Sequence, residues 1–197
     1  MRKLTIEVYT FSELSKEAKE TAIENTRNHD GYLDYEWYDG VYYDATAIAA
    51  LMGIDIKKIH FSGFYSQGDG AMFIGGYEYN KNAVTLVKDY APKDTELHGI
   101  AERLTRLQRR YFYQLKADVK HYGRYYHENS NTVDVYTNDD RRLSDSIEND
   151  LTECLRDFMR WIYKQLENTY DYLNSNEAIA EHLTINDYEF QADGNRY

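Results

Sequence analysis

The hydrophobic period changes several times along the chain, and each change marks a predicted element. Residues 3–9, "KLTIEVY", set Leu4, Ile6 and Val8 against polar neighbours, the period of a half-buried strand. Ser15 stands where a helix N-cap belongs, and "KEAKETAIENTR" supplies good helix formers up to the turn residues "NHDG" at 28–31. From about Asp34 to Met52, the positions Trp37, Val41, Ala45, Ile48, Ala49 and Met52 recur every three or four residues, and Gly53 follows as a left-handed C-cap. The other face of that helix carries Tyr38, Tyr42 and Asp44.

"IDIKKIHFSGF" (54–64) and "AMFIGGYEY" (71–79) predict two strands joined around "SQGDG" at 66–70, because Gly and Asp-Gly accept the positive φ of hairpin turns. A short helix over 83–90 is followed by a break at Pro92 and a helix cap at Asp94. The next helix shows its stripe at Leu97, Ile100, Ala101, Leu104, Leu107 and Tyr111. Beyond Arg110 the period falls to two, with Leu115, Ala117, Val119 and His121 predicting a strand that pairs with "TVDVYT" (132–137) across "YYHENSN". The longest stripe, Ile147, Leu151, Leu155, Phe158, Ile162, Leu166, Tyr170 and Leu173, predicts a core helix from Asp145 to Leu173, with Asp145 and Glu148 at capping-box spacing. A helical segment at 176–183 and an edge strand, "DYEFQA", close the chain. The expected class is α+β: an antiparallel or mixed sheet of about five or six strands packed on several helices, in a single domain over 1–197.

Composition narrows the partners. The 34 acidic against 23 basic side chains leave a formal charge of −11, which disfavours direct contact with nucleic acid. No apolar run approaches about 18 residues and no signal-peptide pattern opens the chain, so a soluble, unexported cytoplasmic protein without a membrane partner is expected. The one cysteine, Cys154, falls at helical spacing with Leu151, Leu155 and Phe158 and reads as core filler in a reducing compartment. There are 21 tyrosines, and tyrosine combines a large apolar body with a polar tip at small rotamer cost, which suits recognition surfaces.

The chemistry-bearing residues form no strong catalytic motif, and no cofactor is expected. The nearest metal-ligand set is His121 and His127 with Glu128, for which plain surface histidines are the simpler reading, so no metal site is assigned. Ser62 and Ser66 in "FSGFYS" lack the spacing of a nucleophile elbow. Asp139 with Asp140, and Asp30 with Asp34, read as acidic turns. The glycine-rich turn is first a hairpin turn. Its alternative reading, a module that binds a small ligand or a nucleotide signal, enlists Phe64, Tyr65, Ser66, Gln67, Gly68, Asp69 and Gly70, with Phe64 and Tyr65 stacking on the ligand and successive N–H groups near 68–70 as an anion nest, though no P-loop lysine accompanies them. An enzyme would instead need Asp69, His60 and Glu78 to converge. Of the basic doublets, Arg109-Arg110 suits a helix C-terminus and Arg141-Arg142 stands at an element boundary. The acidic tract Asp139, Asp140, Asp145, Glu148, Asp150, Glu153 and Asp157 reads as a solvated helix face, or as a surface for a partner.

The segments "FSELSKEAKETA", "DYEWYDGVYYDA", "IHFSGFYSQGDGA", "YAPKDTELHGIA", "LQRRYFYQLKADVKH", "YYHE" and "LRDFMRWIYKQLENTYDYLNS" span nearly the whole chain. Together they resemble a set of uncharacterised bacteriophage and prophage proteins, some of which carry the label antitoxin of a toxin–antitoxin stability system. The resemblance implies a small protein made inside a bacterium that binds and neutralises a host protein, a defence component or a toxin. Tyr38, Tyr42, Tyr125, Asp139, Asp140 and Asp145 are the candidate partner-binding residues for that role.

Overall fold

The computed structural model describes residues 5–29, 32–33, 36–139 and 143–197, which divide into two units. One comprises the residues up to 38 with 168–197, and the other comprises 39–167.

In the first unit, β1 (Tyr9–Thr10) leads into a 3₁₀ turn at Phe11–Glu13 and then α1 (Lys16–Arg27). Ser15 caps α1 by accepting the Ala18 N–H at 3.2 Å. The unit closes with α6 (Asn176–Ile185), capped in the same way by Ser175, and β6 (Glu189–Phe190), antiparallel to β1. Its core gathers Phe11, Leu14, Ala18, Ala22 and Ile23 with Ile179, Leu183 and Phe190. Within the described residues 5–10, only Tyr9–Thr10 are in a strand where one was expected over 3–9: the partner β6 offers only two residues, and Ile6 and Val8 are exposed. Leu4 lies outside the described residues.

The second unit starts with α2 (Asp39–Met52), which buries Ala45, Ile48, Ala49 and Met52. Gly53 ends it with φ +83°, and a Cβ there would sit 2.0 Å from the Glu78 carbonyl oxygen, so the close approach admits only glycine. β2 (Ile54–Ser62) and β3 (Gly70–Tyr77) pair antiparallel, with a bulge between Ile56 and Lys58. Next come α3 (Ala83–Tyr90) and α4 (Thr95–Arg110), packed on each other. Asp94 caps α4, accepting the Leu97 N–H through one carboxylate oxygen and the Trp161 indole N–H through the other. The chain then reverses through Phe112 and Tyr113, both with left-handed φ (53° and 64°), into β4 (Leu115–His121) and β5 (Asn131–Thr137).

The sheet order is β2-β3-β4-β5, antiparallel throughout. Leu115, Ala117 and Val119 point to its buried face, while Lys116, Asp118 and Lys120 alternate onto the other. α5 (Asp145–Leu173) packs on the sheet, where its buried Phe158 meets Phe73 edge to face at 6.2 Å and stacks on Trp161. Asp145 lies in its first turn, where the Ser144 carbonyl accepts the Ile147 and Glu148 N–H groups. Cys154 is buried, and desolvation pushes its thiol up to about 11, as expected for filler. The expected α+β class and long helix are what the structure shows, with the strands divided four and two between two sheets.

Candidate functional site

Hairpin connectivity brings the β2–β3 loop (63–69) and the β4–β5 loop (122–130) to one end of the four-stranded sheet. The loops are joined. Gly70 N–H donates to Ser62 Oγ at 3.3 Å, and Ser62 Oγ donates to the Tyr126 carbonyl at 3.2 Å. A Cβ on Gly70 would lie 2.9 Å from the His127 ring, so the absent side chain lets the second loop settle against the first strand. Tyr126 stacks on His60 at 4.5 Å between centroids and 6° between planes, and lies 5.5 Å from His121. Burial, with help from Lys58 and His121, holds the His60 imidazole below its ordinary pKa.

Within the first loop, Asp69 turns its carboxylate back to accept the Ser66 N–H at 2.8 Å, and Asp69 N–H donates to the Ser66 carbonyl at 3.1 Å. Gly68 takes φ +91°. Of the N–H groups considered for an anion nest, those of Asp69 and Gly70 are donated to acceptors beside the loop. Phe64 faces Tyr163 of α5 at 5.5 Å and Phe61 at 5.8 Å, and Tyr163 Oη donates to the Gly63 carbonyl at 3.3 Å. Burial, then Asp69 and Glu167, raises the Tyr163 phenol. In the second loop, Ser130 Oγ donates to the His127 carbonyl and accepts the His127 N–H. Glu128 is held by Arg160 at 3.4 Å.

Over these fixed bases three tyrosines are largely exposed, Tyr65 with its ring 6.2 Å from that of Phe64. Tyr65, Tyr122 and Tyr125 are 72%, 78% and 77% exposed. Tyr65 has φ +71°, a left-handed conformation for a bulky residue at the loop crest. Sequence reasoning named Tyr65 and Tyr125 for separate roles and passed over Tyr122; what unites them is the meeting of two hairpin ends far apart in the chain, which no local pattern encodes.

The other candidates are dispersed. Tyr38 and Tyr42 are half-buried, Tyr38 against Trp37 at 5.6 Å in the first unit and Tyr42 against Phe61 at 6.5 Å in the second. Tyr43, not singled out from sequence, is the exposed member of that run at 76%. Asp139 accepts the Thr137 hydroxyl at 2.9 Å. Asp145, Glu148 and Asp150 are exposed, whereas Glu153 and Asp157 are taken up by Arg156, Arg160 and Arg103. The acidic tract is therefore partly neutralised by its own helix and by α4. Asp30, Asp34, Asp140 and the Arg141-Arg142 doublet lie outside the described residues.

Asp69, His60 and Glu78 do not converge: Asp69 precedes β3 and Glu78 follows it, roughly 30 Å apart at the rise of a strand. Glu78 instead pairs with Lys116 at 3.4 Å in a cleft of about 610 Å³ on the outer sheet face. His121 Nδ1 faces the Ser130 carbonyl and His127 Nδ1 accepts the Asn129 N–H, so these histidines are held by the loop. Among the described residues no group of three or more His, Cys, Asp or Glu is placed to hold a metal ion. No described helix is long and apolar enough to cross a membrane.

The structure thus defines an α+β sheet-and-helix protein that carries a paired-loop end rich in tyrosine. Residues 37–176 match the domain of unknown function DUF8835, and the chain belongs to that family. The match contains the whole 39–167 unit, and with it both loops. No curated protein and no solved structure matches the chain.

Proposed function

We propose that this protein works by binding another protein through the paired-loop end, with Tyr65, Tyr122 and Tyr125 as its anchors. The observation that carries the reading is the exposure of three large rings on loops whose bases are fixed by Ser62, Gly70, Asp69 and the His60–Tyr126 stack. Tyrosines on loops braced by a rigid scaffold bury large amphipathic area at little entropic cost. The charge of −11 selects against nucleic acid and favours a basic patch on a protein. In the setting that the phage and prophage resemblance implies, the partner is a bacterial host protein that this one binds and neutralises in the cytoplasm.

Affinity capture from a bacterial lysate tests this, comparing the natural sequence with a Tyr65→Ala/Tyr125→Ala variant. Removing two anchors of about 1–2 kcal/mol each should strip away a stoichiometric partner. The thermal midpoint should hold, since both rings are exposed. Retention of the same partner by the double variant would remove the loops from the interface, and a co-purifying small molecule in place of a protein would replace the reading altogether.

A further inference from the structure

We infer that β5 is a docking edge for an extended segment of a partner protein that alternates basic and apolar residues and joins the sheet as a fifth strand. The inference rests on the protein-binding reading above and gives the form of the partner. β5 ends the order β2-β3-β4-β5, and among the described residues it pairs with β4 alone. Every other residue of such a strand turns its N–H and C=O away from the sheet, so a row of donors and acceptors faces outward.

The two edges of this sheet differ. β2 is bulged between Ile56 and Lys58, carries Lys57 and Lys58, and has α2 packed beside it, which are devices that discourage strand addition. β5, "NTVDVYT", has no lysine or proline, and its register with β4 is unbroken from Leu115↔Thr137 to His121↔Asn131. Asn131 and Thr137 are buried at its ends, and between them exposed Thr132, Asp134 and Tyr136 alternate with half-buried Val133 and Val135.

Side chains specify the occupant. Val133 and Val135 lie across from buried Val119 and Ala117 but are themselves only half-buried, so a further strand with apolar residues at alternate positions would complete that face. On the outer face, Asp134 stands across from Asp118, and Lys120 serves both carboxylates at 2.8 and 3.9 Å while Lys116 on the same face is matched by Glu78, leaving a net negative charge. A cross-strand lysine or arginine answers that charge. A second copy does not fit: antiparallel self-pairing centred on this stretch sets Asp134 against Asp134, and each copy carries −11. β5 also begins where the loop bearing Tyr122 and Tyr125 ends, so a segment laid on it runs on into the paired-loop end.

The test is amide hydrogen exchange on the full chain with a heptapeptide alternating lysine and valine, against a peptide of the same composition with its lysines and valines in two blocks. The alternating peptide should protect amides within 132–136 and the block peptide should not. Asp134→Lys, at an exposed position, should weaken the alternating peptide about threefold to fivefold and favour a valine–glutamate counterpart. Equal protection by both peptides would reduce the effect to bulk charge and overturn the inference, as would absence of protection or peptide-free dimerisation that protects β5. If β5 stays unprotected while the Tyr65→Ala/Tyr125→Ala variant still loses its captured partner, the strand inference falls and the loop reading stands. Protection of β5 by the alternating peptide, together with a double variant that keeps its partner, would uphold the strand and remove the loops.

Discussion

Gln108 is fully buried near the end of an otherwise apolar helix face, and its amide is completely used. Nε2 donates to the Leu115 carbonyl at 2.7 Å and to Tyr77 Oη at 3.2 Å, and Oε1 accepts the Leu115 N–H at 3.1 Å. One side chain thus imitates a strand partner for the first residue of β4, and the apolar surroundings push the Tyr77 phenol up to about 12. Gln108→Leu keeps the volume but strands a backbone N–H and C=O in the interior, so chemical denaturation should show a loss of about 2–4 kcal/mol. Gln108 was legible in principle as a polar residue between Leu107 and the helix end, at a spacing that continues the stripe from Leu104. Periodicity counts apolar positions and passes over a glutamine that is buried because it is satisfied.

At the scale of elements, the sequence was most readable where one face of a long segment meets one core. The bounds of α5 and the β4–β5 pairing follow directly from periods of 3.6 and 2. Among the described residues 5–8 the expected strand does not form, because alternation records only a willingness to pair, and the length of a strand is set by its partner, here two residues of β6. The paired loops were unreadable for a related reason: Ser62 meets Tyr126 only once four strands are assembled. Asp94 joins the two kinds of information, since its capping role with Leu97 is local and its bond to Trp161 is not. Asp94→Ala should therefore cost more than a cap alone, about 2–3 kcal/mol in thermal or chemical unfolding, while a loss near 1 kcal/mol would mean that the indole N–H finds another partner.

For the whole molecule, each unit contains one histidine held below its ordinary pKa chiefly by burial: His60 in the 39–167 unit and His182 in the other, aided respectively by Lys58 with His121 and by Arg196. The unfolded chain takes up those protons more readily, so their contribution is fully present above the unfolded histidine value of about 6.5 and is lost as pH falls through the lowered folded values. A His60→Gln/His182→Gln variant should accordingly lose less thermal stability between pH 7 and pH 5 than the natural sequence. Equal losses would show that protonating these rings costs the fold nothing. Further acidification removes the support of Glu13, Glu102, Glu153 and Asp193, all lowered by hydrogen bonds.

The reversal after α4 places Phe112 with its ring 76% exposed and its backbone in left-handed space. Glycine or asparagine enters that region with little or none of the penalty of about 1–2 kcal/mol that an ordinary side chain carries, and Phe112 recovers little through burial. A laboratory evolution directed only at heat resistance would change this position early. A sequence that keeps an aromatic there is not the most stable sequence for its own backbone, which leaves a small thermodynamic reserve at a single codon.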